Sequence, residues 1–306
     1  MESKWCLLAL SGIVSAAGLT GCSSMAPMQP QDPDRMVSVA PMECSTFATR
    51  VATHAQHQQK VTASPQVAAA ADEGAAGADA DEESGEAEPA PRADLPLFST
   101  APVGQPYPSG WHPWRINRNK TPTRYGLVAQ RDQVVMHAQA DASASGLYVP
   151  LTARDAGMLR WAWRTRDVIR TADNTLGSRE DAPLRVFVAF DGDKGNLSLK
   201  DQLMYEMARL TTGREMPYAT LMYIWAGRRP AGSILPNPHT DRVRMIVADS
   251  GLAHTGEWRC HERDLRADYR KAFGQEPGRV IAVGIMTDTD NTRTRAESWY
   301  GDILLD

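Results

Sequence analysis

The most site-like segment of the chain is Thr287-Asp288-Thr289-Asp290-Asn291-Thr292, directly behind the apolar run Val280–Met286. Asp288, Asp290 and Asn291, joined by Asp302 from the next apolar run, make an oxygen set of the kind a hard cation such as calcium takes. The same residue types also shape turns by hydrogen-bonding nearby backbone, and no ligand spacing here separates the two readings. Three carboxylates in a partly buried space raise one another's pKa unless a positive charge compensates. Arg293 and Arg295 are candidates to supply it, with calcium as the alternative; arginine pairing is the expectation.

A second set is cationic. Arg160, Arg164, Arg185, Arg242 and Arg244 fall at alternate positions of strand-like runs, so several guanidinium groups can share a sheet face. Arginine forks match carboxylates and phosphates, such as uronic acids or lipid headgroups. The competing reading is a surface ladder paired with Asp167, Asp181, Asp241 and Asp249. Trp161, Trp163 and Trp225 could stack on sugar rings, but alternate, arginine-flanked positions place them in a core. Nothing near His239 or His254 completes a nucleophile–base pair. The chain has no G-x-S-x-G, P-loop, H-E-x-x-H or C-x-x-C motif. Asp191-Gly192-Asp193-Lys194-Gly195-Asn196 begins like a calcium loop, but its twelfth position is Gln202 where a bidentate Glu is required, so it reads as a tight turn.

The elements that would position these residues are mostly strands. Met158–Arg164, Leu184–Phe190 and Arg242–Val247 alternate apolar with polar or charged residues. Thr220–Trp225 and Val280–Met286 are apolar throughout, as central strands covered on both faces are. Tyr125–Gln130, Val134–Ala140, Glu257–Cys260 and Ser298–Leu305 add shorter strands. So many strands in about 200 residues predict a mainly β fold, a jelly-roll-like antiparallel β-sandwich with two short helices. The helices are Ser198–Thr212, with Leu199, Leu203, Met207 and Leu210 on one face, and His261–Phe273, ending at Gly274. Both apolar stripes are expected to be core. Ser298–Leu305 is expected beside Val280–Met286, which would bring Asp302 near Asp288 and Asp290.

The front of the chain differs in kind. Residues 1–94 hold 13 of 37 acidic and 5 of 33 basic side chains, a balance of −8; the remainder balances at +4, too little to argue for nucleic acid. Cys6–Leu19 is an apolar run of 14 residues, short for a bilayer span but right for a secretory signal. It ends in Leu19-Thr20-Gly21-Cys22, which resembles the bacterial lipobox. That resemblance implies a signal peptide over 1–21, lipidation (palmitate among the acyl chains) at Cys22, and, with Ser23 following, sorting to the outer membrane of a cell envelope. Residues 22–95, rich in Ala, Pro and acids, read as a disordered tether, with one short helix near Ser45–Gln59 from Phe47, Val51 and Ala55. The folded domain is then expected over 96–306. Cys44 and Cys260 fall on opposite sides of that boundary, so two free thiols are the expectation.

Several stretches in order, including Leu159–Arg164, Ala182–Phe190, Asp241–Val247, Asp268–Gly274, Ile285–Thr292 and Trp299–Ile303, resemble the bacterial domain-of-unknown-function family 3047 over roughly Trp111–Asp306. The resemblance implies an exported β-sandwich and no assigned chemistry. Three functions follow as alternatives. The first is a lipid-anchored envelope module binding a carbohydrate or another anionic envelope component. The second is a glycan hydrolase or lyase using Asp191, Asp193, Asp288 or Asp290 as acid and base, and the third a purely structural lipoprotein. The binding module is the expectation, without catalytic residues and without a cofactor, a structural calcium at the acidic segment being the alternative to arginine pairing there.

Overall fold

The computed structural model describes residues 36–62, 88–115, 119–131, 133–212 and 215–306. Cys22 and the expected signal peptide over 1–21 lie outside the described residues. In chain order the strands begin with β1 (His112–Trp114), β2 (Arg124–Gln130), β3 (Gln133–Asp141), β4 (Ala144–Arg154), β5 (Met158–Thr165) and β6 (Arg185–Phe190). They continue with β7 (Ala219–Ala226), β8 (Ile234–Pro236), β9 (Val243–Ser250), β10 (Arg259–Asp264), β11 (Val280–Asp288) and β12 (Arg295–Leu305). Three helices accompany them: α1 (Cys44–Thr62), α2 (Leu199–Thr212) and α3 (Leu265–Phe273).

The strands form two sheets, β1-β4-β11-β6-β7-β9-β8 and β10-β5-β12-β3-β2, with every pair antiparallel except β7 with β9. The chain passes between sheets from β3 through β6 and again from β9 through β12, which makes the sandwich jelly-roll-like. Alternation decides which side chains fill the gap. Leu159, Trp161 and Trp163 of β5 meet Val186, Val188 and Phe190 of β6 and Tyr223 and Trp225 of β7, while Arg160 and Arg164 face away. β6 and β7 are buried along their whole length because the outer face of their sheet carries a second apolar layer, including Phe187, Met222, Ile224 and Met245. α3 starts at the Asp264 cap, whose carboxylate accepts from Ala267 N at 3.0 Å, and stops at Gly274 in the left-handed region with φ 71°.

The structure corrects several expectations. β4, eleven residues long, carries Gly146 and Pro150 and is buried on both faces over Ala144–Leu147, so its first half shows no alternation. Pro150 is tolerated beside the β11 bulge between Val280 and Ala282. β10 continues to Asp264, so His261 stands on a strand paired with Trp161 and not in a helix. β12 is central in the five-stranded sheet and does not neighbour β11. Asp302 is therefore on the other sheet from Asp288, where it accepts from Ser99 N at 3.0 Å.

The N-terminal boundary also moves. Residues 36–62 belong to the same compact unit as the two sheets. Met36 bridges Ser233, and Met42 N donates to Cys260 O at 2.8 Å. That edge pairing brings Cys44 to a Cα distance of 5.3 Å from Cys260, and the two form a disulfide, which overturns the free-thiol expectation. α1 lies on the outer face of the five-stranded sheet, with Phe47 packed on Leu97, Ala162 and Leu304 and with Val51 and Ala55 beside it. The short helix was therefore legible, but a tether over all of 22–95 was not the right frame for it. α2 reverses its expected orientation: Asp201 and Tyr205 point inward while Leu199, Leu203 and Met207 are exposed. No helix among the described residues is long and apolar enough to cross a membrane.

Candidate functional site

The acidic segment comes together only in part. Asp288 closes β11, and its carboxylate takes a two-pronged fork from Arg185, Nε to Oδ1 at 2.8 Å and Nη2 to Oδ2 at 2.9 Å. Ala182 N adds a third bond at 3.1 Å. Burial pushes the Asp288 carboxyl up, to about 6, against the opposing pull of Arg185. Asp290 pairs instead with Lys120 Nζ at 2.6 Å. The third acid is Asp181, from the loop before β6, which sequence reading offered only as a partner for an arginine. Oxygens of Asp181, Asp288 and Asp290 lie within 4.8 Å of one another.

Most of these oxygens are nonetheless spoken for. Asp181 accepts from Asn291 N at 3.2 Å and Thr292 N at 2.7 Å, so it pins the loop that follows β11. Asn291 enters through its backbone, and Oδ1 of Asp290 is the one buried side-chain oxygen of the cluster without a hydrogen-bond partner. Calcium takes six to eight oxygens, and this arrangement leaves far fewer uncommitted. The compensating cations are Arg185 and Lys120, not Arg293 or Arg295; Arg295 pairs with Asp141 at 3.0 Å. The cluster is a clamp of three carboxylates and two cations that fixes the end of β11.

The five arginines divide between sheets. Arg185, Arg242 and Arg244 belong to the seven-stranded side: Arg185 sits in the clamp, and Arg242 covers the Tyr218 ring at 4.1 Å and donates to Tyr218 O. Arg244 is 3.5 Å from Asp241. Arg160, on the other sheet, is sealed by ion pairs to Glu262 and Asp306. Arg164 is half-buried at an open surface. Asp191 and Asp193 form an exposed turn in which Asp193 accepts from Gly195 N at 2.9 Å, as the tight-turn reading expects.

The open surface is the half of the outer five-stranded face that α1 leaves uncovered. Residues in register across neighbouring strands build a row there. Arg164 of β5 lies opposite Trp299 of β12, which lies opposite His137 of β3, which lies opposite Gly126 of β2. The Arg164 guanidinium sits 4.2 Å from the Trp299 ring centre and 5.5 Å from that of Trp258, so it bridges two indoles. His137 stacks on Trp299 at 5.1 Å with the rings only 7° apart, and its Nε2 is 3.0 Å from Glu297 Oε1. At the next strand the row ends in a notch, because a Cβ built on Gly126 would meet nothing within 4 Å.

Alongside runs a polar row: Arg166 beyond β5, Glu297 of β12, Gln139 of β3 and Arg124 of β2. With Asp141, Asp167 and Arg295 it lines a depression of about 470 Å3. Glu297 takes Arg166 at 2.5 Å as well as His137, which fixes its carboxylate between two donors. Sequence reading missed Trp258, Trp299, His137 and Glu297 as a group. The available signal was the every-second-residue pairing of Glu297 with Trp299 and of His137 with Gln139, which only strand pairing converts into one surface.

The chain belongs to the family of proteins of unknown function DUF3047, which matches residues 109–304. The matched segment contains both sheets except their N-terminal cover. No curated protein matches the sequence. Among solved structures, the K1 cleaved adhesin domain of Lys-gingipain from Porphyromonas gingivalis W83 is similar at 10% identity, over 70% of this chain and 98% of that one, with a TM-score of 0.31. The cellulose-induced protein Cip1 is similar at 10% identity, over 65% and 91%, with a TM-score of 0.34. The carbohydrate recognition domain of Emp47p is similar at 9% identity, over 69% and 94%, with a TM-score of 0.32. At these scores the likeness carries no functional inference.

Proposed function

We propose that this is a lipid-anchored cell-envelope protein, acylated at Cys22 and sorted to the outer membrane, whose open five-stranded face binds a glycan. The observation that carries the binding reading is the row Trp258–Arg164–Trp299–His137 ending at the Gly126 notch, beside a charged depression. A pyranose has one flat face of C–H bonds and a rim of hydroxyls. The outward face of His137, held upright by Trp299, suits the first. Arg124, Gln139 and Glu297, presented on a rigid sheet, suit the second. The depression falls within the usual 300–1,000 Å3 range of small-ligand sites. Arg166 and Arg295 already pair with Glu297 and Asp141, so it is Arg124 that favours a saccharide bearing carboxylates, a uronate, over a neutral one.

The binding reading is preferred to hydrolysis because the carboxylates first suggested as acid and base are committed elsewhere. Asp288 is locked by Arg185, Asp290 pairs with Lys120, and Asp191 and Asp193 shape a turn away from the depression. The test is a panel of neutral and uronate oligosaccharides against the mature chain and its Gly126→Leu variant. Gly126 does not have a positive φ, so leucine fills the notch without backbone strain. Binding that survives Gly126→Leu unchanged would remove the site. For the anchor, Cys22→Ser should leave an unprocessed precursor, and normal processing and membrane fractionation of that variant would refute it.

A further inference from the structure

α2 carries a feature that a ligand on the five-stranded face does not explain. Leu199, Leu203 and Met207, at i, i+4 and i+8, are 73%, 60% and 59% exposed. The inward positions of the same helix include a carboxylate. Asp201 is buried, accepting from Ser198 Oγ at 2.8 Å and from Thr240 Oγ1 at 3.4 Å, and Tyr205 OH donates to Pro217 O at 2.9 Å. A surface helix normally buries its leucines and exposes its acids. Here polar bonds hold the helix in place, and large apolar side chains are left aligned along its outer side. Such an alignment marks a contact surface.

We propose that this stripe rests on the lipid bilayer to which the protein is tethered, with its leucines among the acyl chains. Two observations select a bilayer over a protein partner. The first is size: three side chains fall far short of the roughly 800 Å2 per partner of a stable protein complex. The second is where the chain arrives. Met36 bridges Ser233 just before β8, and the turn after β8 carries Thr240, the residue bonded to Asp201 of α2. Ser233 and Thr240 are seven residues apart, so Met36 and α2 meet a segment no longer than about 25 Å. Cys22 precedes Met36 by 14 residues, at most about 50 Å of extended chain. A surface already held that close to lipid needs little intrinsic affinity, because tethering supplies a high local concentration. Lys200 on the same helix can run its stem along the membrane and keep its charge in water, and the exposed carboxylate of Glu206 is paired with Arg209 at 3.0 Å.

The inference rests on the lipid-anchor reading only for the natural tether, and the test replaces that tether. The mature chain carries an N-terminal hexahistidine tag in place of the lipid and is held on phosphatidylcholine–phosphatidylglycerol vesicles containing a nickel-chelating lipid. Hydroxyl-radical footprinting then reads side-chain access. Oxidation of Leu203 should fall about five-fold on vesicles relative to the free chain, as for an interfacial helix, while exposed Val103 and Leu252 stay unchanged. In Leu203→Asp, Leu199 should lose its protection although the chain still pellets with the vesicles. Equal oxidation of Leu203 bound and free would overturn the proposal. So would protection that appears without vesicles as protein concentration rises, which would assign the stripe to a second copy. If Cys22→Ser shows that no lipid is attached in cells, the vesicle measurement still decides whether the stripe docks.

Discussion

Reducing the Cys44–Cys260 disulfide should loosen the N-terminal cover of the sandwich and not unfold the sandwich itself. The bond spans a sequence separation of 216 residues. Closing a loop of that size is worth about 5 kcal/mol in the chain-entropy model, which sets the ceiling. The observed loss should be smaller, because residues 36–62 can detach while both sheets persist. It is limited by what docking of α1 contributes, chiefly the burial of Phe47 against Leu97, Ala162 and Leu304, about 3 kcal/mol. For a domain of this size that corresponds to a fall in Tm of about 6–12 °C. The assay is thermal unfolding of the mature chain with and without reductant, beside a Cys44→Ser/Cys260→Ser double variant. Phe47→Ala in the oxidised protein should recover much of the same loss. If a fragment of residues 96–306 melts where the oxidised mature chain does, α1 contributes nothing to the domain and the reasoning fails.

Other outcomes follow from the buried charges. Arg185→Met strands the Asp288 carboxylate and should cost about 3–5 kcal/mol in chemical denaturation, whereas adding Asp288→Asn should restore part of it. Because Arg185 and Lys120 already pair within the acidic cluster, the melt should be indifferent to excess chelator and to millimolar calcium; a calcium-dependent rise abolished by Asp290→Ala would contradict that assignment. Burial alone would raise the Asp249 carboxyl, but His261, Trp163 and Arg259 outweigh it and hold it below the ordinary carboxylate range. A depressed folded-state pKa stabilises above the unfolded value and is lost as pH falls through the folded one, so stability should drop below about pH 4 and Asp249→Asn should flatten that slope.

The alternating runs carried most of the fold. Trp161 and Trp163 were legible as core from their arginine-flanked spacing, and β7 and β11 as central strands from their unbroken apolar character. β4 was not legible, because its first half is buried on both faces and Gly146 and Pro150 interrupt the short period that remains. The clamp was half legible. Asp288 and Asp290 share it as their spacing suggests, but Asp181 and Arg185 arrive from a loop and a strand about a hundred residues earlier. Asp302 failed for a related reason, since which sheet β12 joins depends on pairing that local pattern does not encode. The open face was the least legible of all. Its row takes one residue from each of several strands, so no single stretch of sequence announces it. Cys44 went astray because the composition of its neighbours outweighed the apolar spacing of Phe47, Val51 and Ala55.

The claim that the five-stranded face binds a glycan is tested most directly by calorimetric titration of the mature chain with uronate and neutral oligosaccharides, beside His137→Ala and Gly126→Leu. The account predicts binding of a uronate oligosaccharide that His137→Ala weakens about ten-fold, the loss of one stacking contact of about 1.4 kcal/mol, and that Gly126→Leu abolishes. Both variants should melt like the parent. Equal affinity in all three proteins, or binding lost only where the variant no longer folds, would contradict it.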